Sequence, residues 1–157
     1  MIVVSNTTPL NYLVILQKAP VLPALFETVV VPPAVVAELT RKESPEPVRA
    51  WILAPPPWLR IQAPHLVDAT LDLDAGESEA IALAQELRAD RILLDDAKAR
   101  QIAAARGLKV AGTLAVLAEA HDRGLLDLRR TIDELRETTF YVDEELLQAI
   151  LNRISKP

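Results

Sequence analysis

The chain has 157 residues, of which 50% are hydrophobic, 4% aromatic and 25% charged, with no cysteine and a net charge of −5. This composition fits one globular domain over residues 1–157 with enough chain for a real core, and it excludes a disordered segment, disulfides and thiolate metal sites. The acidic balance speaks against a generic basic nucleic-acid binder. The opening apolar run is too short for a signal peptide and lacks a basic leader, and no apolar stretch approaches the ~18 residues that span a bilayer. A soluble, cytoplasmic protein without membrane association is expected.

MIVV (1–4) is β-branched and apolar, so it predicts a buried first strand. After SNTTP, LNYLVILQ (10–17) has helical spacing, and Pro20 and Pro23 are expected to end that helix. ETVVVP (27–32) predicts a second strand. Pro33 suits the first turn of a helix continuing over 34–42. The Pro-rich passage from KESPEP to APPPW reads as an ordered excursion that must pack Trp51 and Trp58, and WLRIQ (58–62) as an edge strand.

GESEAIALAQELRA (76–89) is a strong amphipathic helix, in which Ala80, Ala82 and Ala84 allow close approach to a sheet. RILLDD (91–96) is an apolar strand closed by acids, followed by a helix over 97–107 that Gly107 ends. LKVAG (108–112) predicts a short strand and TLAVLAEAHDRG (113–124) a helix stopped by Gly124. TTFYV (138–142) is strand-like, and DEELLQAILNRI (143–154) is a helix capped by Asp143 with Leu146, Leu147, Ile150, Leu151 and Ile154 to bury. Strands alternating with helices predict βαβ units and a parallel sheet covered on both faces. In such sheets ligands bind beyond the carboxyl ends of the strands, where the strand order reverses.

The four glycines are not clustered, so no phosphate-cradling loop is present, and the Gly-x-Ser-x-Gly elbow of serine hydrolases is absent. His65 and His121 are the only histidines and read as surface residues. What remains is carboxylates. Asp95 or Asp96 caps the helix that follows, which leaves the other acid of the doublet free at the sheet's edge. Glu77 and Glu79 both suit a helix's first turn, but lie roughly 200° apart around it and cannot both face one site. Glu79, beside the alanine series, is the better candidate. Glu38 stands among Val35, Val36 and Leu39, where a lone acid ordinarily points to water.

Charge is uneven as well. Residues 66–96 hold nine acids and two bases, whereas residues 97–130 hold seven bases and three acids. Two solvated helix faces would explain this, and so would cations held close to a polyanion. A phospho-acceptor signalling domain would want an acidic pair after the first strand and a late lysine at a strand end. Asn6-Thr7-Thr8 and KVAG supply neither.

The order of these segments, VVSNTTPL, then GESEAIALA, ILLDDAKAR and GLKVAGTLAVL, resembles the PIN-domain family over nearly the whole chain. It is most similar to a branch related to the VapC toxins of toxin–antitoxin pairs. The resemblance implies a three-layer α/β/α fold with a central parallel sheet and a Mg²⁺- or Mn²⁺-dependent endoribonuclease. By the same resemblance, the acidic positions fall on Asn6, Glu38, Glu79 (or Glu77) and Asp96 (with Asp95 beside it). Catalysis is assigned to Asn6, Glu38, Glu79 and Asp96, and metal ligation to Asn6, Glu77, Glu79, Asp95 and Asp96. The family's small hydroxyl residue matches Thr8, and Thr113 resembles a further polar group near the site. Lys98, Arg100 and Arg106 are expected phosphate contacts. RNA as substrate, an antitoxin partner and a homodimer are implied too.

Hard ions prefer oxygen ligands, and clustered carboxylates satisfy that preference. Asn6 departs from the usual first acid, because an amide oxygen ligates Mg²⁺ but brings no charge. A natural variant with altered metal use, a binding module without cleavage and an engineered replacement each account for it.

Overall fold

The computed structural model describes residues 1–154, so the end of the expected 1–157 span, residues 155–157, lies outside the described residues. The described chain divides into two compact units, residues 1–113 and residues 114 onward.

The first unit alternates strands and helices: β1 (Ile2–Ser5), α1 (Thr7–Ile15), α2 (Val21–Phe26), β2 (Thr28–Val31), α3 (Pro33–Leu39), α4 (Glu46–Leu53), β3 (Leu59–Ile61), α5 (Ala75–Leu87), β4 (Arg91–Leu93), α6 (Ala97–Ala105) and β5 (Val110–Ala111). The five strands form one sheet in the order β3-β2-β1-β4-β5, and every pair is parallel. Val4 pairs with Val30 on one side and Ile92 on the other. These residues and Leu94 face Ile81, Leu83 and Ala84 of α5 and Ala99 and Ala103 of α6. Strand side chains alternate, so Val3, Val29, Val31 and Leu93 point to the opposite face, and they are fully buried too. α2 packs on β2, α1 touches α3 and α4, and α3 also meets α5. The result is a three-layer α/β/α arrangement whose strands are apolar on both faces because both are covered. Strand order reverses between β1 and β4, and this puts the end of Ser5 beside the end of Leu93. The Asn6 N–H donates to the Leu93 carbonyl at 3.0 Å.

Two helices of this unit fall where the sequence predicts none. Pro20 stands at the N-cap of α2 and Pro23 lies in its first turn, where a missing N–H removes no intrahelical bond. The prolines thus begin a helix rather than only ending one. Pro45 and Pro47 do the same for α4, inside the Pro-rich excursion. Trp51 and Trp58 pack against each other there, with ring centroids 5.9 Å apart.

The second unit carries α7 (Thr113–Asp122, which starts at the boundary), α8 (Leu128–Arg136) and α9 (Glu144–Ile154). The sequence reading lacks α8, which buries Leu128, Thr131, Ile132 and Leu135 at helical spacing. His121 is half-buried, and its Nδ1 accepts the Leu128 N–H at 3.1 Å. Residues 138–142, expected as a strand, have no regular structure. The Thr138 hydroxyl donates to the Leu135 carbonyl at 2.6 Å and accepts the Phe140 N–H at 3.1 Å. Such local bonds compete with a ladder. Asp143 caps α9 through the Leu146 N–H as expected, but on that helix only Leu147 is buried.

Candidate active site

The site is assembled from segment ends at the carboxyl edge of the sheet. β1 runs apolar to Ser5, and Asn6 then takes the N-cap position of α1 with extended backbone. Its side chain makes no capping bond, and Oδ1 is buried without a hydrogen-bond partner. Buried polar atoms are nearly always paired, so an unpartnered oxygen at a strand end has the chemistry of a metal or water ligand. The next residue, Thr7, donates its hydroxyl to Glu38 Oε2 on α3. Glu38 Oε1 lies so close to Gly76 of α5 that a Cβ there would stand 2.5 Å from it.

α5 opens with a capping box. Asp74 Oδ1 accepts the Glu77 N–H at 2.8 Å, and Glu77 Oε1 accepts the Asp74 N–H at 3.3 Å. This reciprocal pair anchors Glu77 at the helix start, where it is 8% exposed. Burial, then the nearby charges of Asp74, Asp96 and Glu38, push its carboxyl up to about 7. Glu38, Glu77 and Asp96 therefore share one electrostatic neighbourhood. Asp96 caps α6 by accepting the Ala99 N–H on Oδ2 at 3.0 Å, and its side chain is otherwise exposed.

The other candidates go elsewhere. Glu79 accepts the Ala34 N–H at 3.1 Å, which satisfies a free donor in the first turn of α3. Asp95 accepts both the N–H and the hydroxyl of Thr113, at 2.9 and 2.6 Å. Burial raises its carboxyl, while the Thr113 bonds and the Arg100 charge oppose that rise. Thr113 is fully buried, and the contact joins the segment that follows β4 to the segment that follows β5. Lys98 is paired with Asp72 at 2.6 Å and Arg106 with Asp68 at 2.7 Å. The Thr70 hydroxyl first, and then Arg106, hold the Asp68 carboxyl down at about 2. Thr8 is half-buried, and the hydroxyl on Glu38 belongs to its neighbour Thr7.

Thr7, Asp74 and Gly76, none of them singled out by the sequence, thus touch the candidate acids Glu38 and Glu77. The signal for one was present: Asp74-Ala-Gly-Glu77 has the spacing of a capping box. Among the described residues, no three His, Cys, Asp or Glu side chains stand close enough to hold an ion by themselves.

A parallel sheet covered on both faces, with acids gathered near the carboxyl ends of its strands, is an α/β/α domain with a candidate site at its switch point. The family model DUF3368, described as a PIN domain, matches residues 2–156, and the chain belongs to this PIN-domain family. Among solved structures it is similar to a PilT N-terminus domain protein from the hyperthermophilic archaeon Sulfolobus solfataricus P2. The match has 18% identity and a TM-score of 0.56, and covers 76% of this chain and 93% of that one. At that identity the likeness speaks for the fold. No curated protein matches the chain. Among the described residues no helix is long and apolar enough to cross a membrane.

Proposed function

We propose that the protein is a divalent-metal-dependent endoribonuclease of the VapC type, acting in the cytoplasm as the toxin of a toxin–antitoxin pair and working as a homodimer. The observation that carries the chemistry is the unpartnered, buried Oδ1 of Asn6 at a strand end whose next residue, Thr7, bonds Glu38, an acid whose charge is felt by Glu77 together with that of Asp96. PIN domains generally use divalent metals, and this donor set is all oxygen, as Mg²⁺ or Mn²⁺ requires.

Asn6, with acids drawn from Glu38, Glu77 and Asp96, would hold the ion, the amide oxygen being the one neutral ligand; because no three of the acids gather unaided, the ion itself would have to draw them in. When bound, the ion supplies a Lewis acid that activates water and neutralises charge on the phosphodiester. Glu77 keeps its carboxylate turned inward through the capping box, and Asp96 offers the oxygen its helix cap leaves over. Glu79 supports the site by fixing the first turn of α3, and Asp95 by holding Thr113. Lys98 and Arg100 flank the start of α6, where an RNA backbone would need cations.

One observation favours a second reading, a PIN-like RNA- or protein-binding module with weakened cleavage: Asn6 brings no charge where the family pattern has an acid. Cleavage of labelled single-stranded RNA in Mn²⁺ or EDTA separates the two. The enzyme reading expects Mn²⁺-dependent cleavage that Asp96→Ala and Glu77→Gln abolish. Cleavage that persists unchanged in EDTA refutes it. RNA binding without turnover, restored by Asn6→Asp, moves the chain to the weakened module.

A further inference from the structure

Glycine is the poorest helix former after proline, yet position 76 lies in the first turn of α5. Its backbone does not require glycine, since it is helical there, so the reason must be space. A Cβ at this position would stand 2.5 Å from Glu38 Oε1, 3.0 Å from Cδ and 3.1 Å from Oε2. Every one of those atoms belongs to the Glu38 carboxyl group. On its other side the same carboxylate accepts the Thr7 hydroxyl. It is therefore wedged between the first turns of two helices, by a hydroxyl from α1 and by the missing side chain of α5.

We propose that Thr7 and Gly76 form a socket that fixes the Glu38 carboxylate in the orientation a divalent cation needs, so that both are positioning residues of the site. This rests on the reading of Glu38 as a cation ligand, and it gives Gly76 a functional reason to be kept against helix propensity. The clash a methyl group would cause is with the far end of a flexible side chain, not with backbone. Alanine at 76 is then tolerated by the fold: Glu38 swings aside, the Thr7 contact breaks, and the carboxylate leaves its place. Stability and site function are expected to move in opposite directions.

Two measurements test this. The first is thermal denaturation of the metal-free protein, Thr7→Val, Gly76→Ala and the double variant. Gly76→Ala should melt at or above the parent temperature. Thr7→Val should lower the melting temperature of the parent but not of Gly76→Ala, because the bond it removes is already lost there. Thr7→Ser, which keeps the hydroxyl, should behave like the parent. Additive losses, or a Gly76→Ala protein that fails to fold while Thr7→Val is unaffected, would overturn the socket.

The second is calorimetric titration with Mn²⁺. Gly76→Ala should weaken ion binding roughly 10- to 100-fold, the range for residues that orient metal ligands. Adding Glu38→Asp, which draws the carboxylate back by one methylene, should recover much of the loss. Parental Mn²⁺ affinity in Gly76→Ala would refute the positioning role. If neither the parent nor Asn6→Asp takes up Mn²⁺, the cation reading falls and the positioning role falls with it, whereas uptake by the parent with additive melting losses overturns the socket alone.

Discussion

Glu77 offers a quantitative check on the electrostatics of the site. Its carboxyl sits at about 7 against an ordinary 4.5. Keeping it ionised in the folded, metal-free protein therefore costs about 3 kcal/mol. The folded-state value is raised, so the folded state is relatively favoured where Glu77 is protonated. That advantage is complete below pH ~4.5 and is lost as the pH rises through about 7. Glu77→Gln removes the charge but keeps an Oε1 able to accept the Asp74 N–H, so the capping box survives. In EDTA at pH 8 this variant should exceed the parent by up to about 3 kcal/mol, a rise in melting temperature of roughly 5–10 °C for a chain of this size. At pH 4.5 the gap should shrink towards zero. Melting curves of both proteins across this range suffice. A variant less stable than the parent at pH 8, or a gap that does not change with pH, would refute the argument that burial and neighbouring acids load Glu77.

Three further outcomes follow from named contacts. Asp74→Ala removes the N-cap of α5 and should cost about 1 kcal/mol by denaturant titration, with loss of Mn²⁺ affinity because Glu77 loses its anchor. Asp95→Ala leaves the Thr113 N–H and hydroxyl without their acceptor and should cost about 2 kcal/mol, whereas Asp95→Asn, which keeps an oxygen for the N–H, should cost less than half as much. Glu79→Ala should lower stability by about 1 kcal/mol through the lost Ala34 contact yet leave the Mn²⁺ affinity of the parent intact, as titration calorimetry would show.

Much of the fold was legible because its strands are covered on both faces and so appear as unbroken apolar runs, as at Ile2–Ser5 and Thr28–Val31. The alternation with helices then implied a parallel sheet, and the polar ends of two central strands marked the edge where the site would lie. What stayed hidden depended on geometry that spacing does not encode. Pro20, Pro23, Pro45 and Pro47 act as stops or starts depending on whether their missing N–H falls in a first turn, so α2 and α4 escaped notice. Adjacent Thr7 and Thr8 differ by about 100° around a helix, and only the placement of α3 decides which hydroxyl meets Glu38. Between Glu77 and Glu79 the alanine series points to the second; in the structure Glu79 accepts the Ala34 amide of α3, while Glu77, held in its capping box, feels the charges of Glu38 and Asp96. Residues 138–142 have strand-forming composition, but Thr138 engages its own backbone neighbours instead.

The sheet's two outer strands are very short: β3 has three residues and β5 only two. β3 is further bracketed by Pro55–Pro57 and Pro64, none of which has an N–H to give. A border this brief offers almost no template for a foreign strand, so neither fibrillar stacking nor sheet continuation between molecules has a starting point there. Association of two copies through helices or loops is favoured over pairing at these edges. Their contact would be read from side chains rather than from a shared ladder of main-chain bonds.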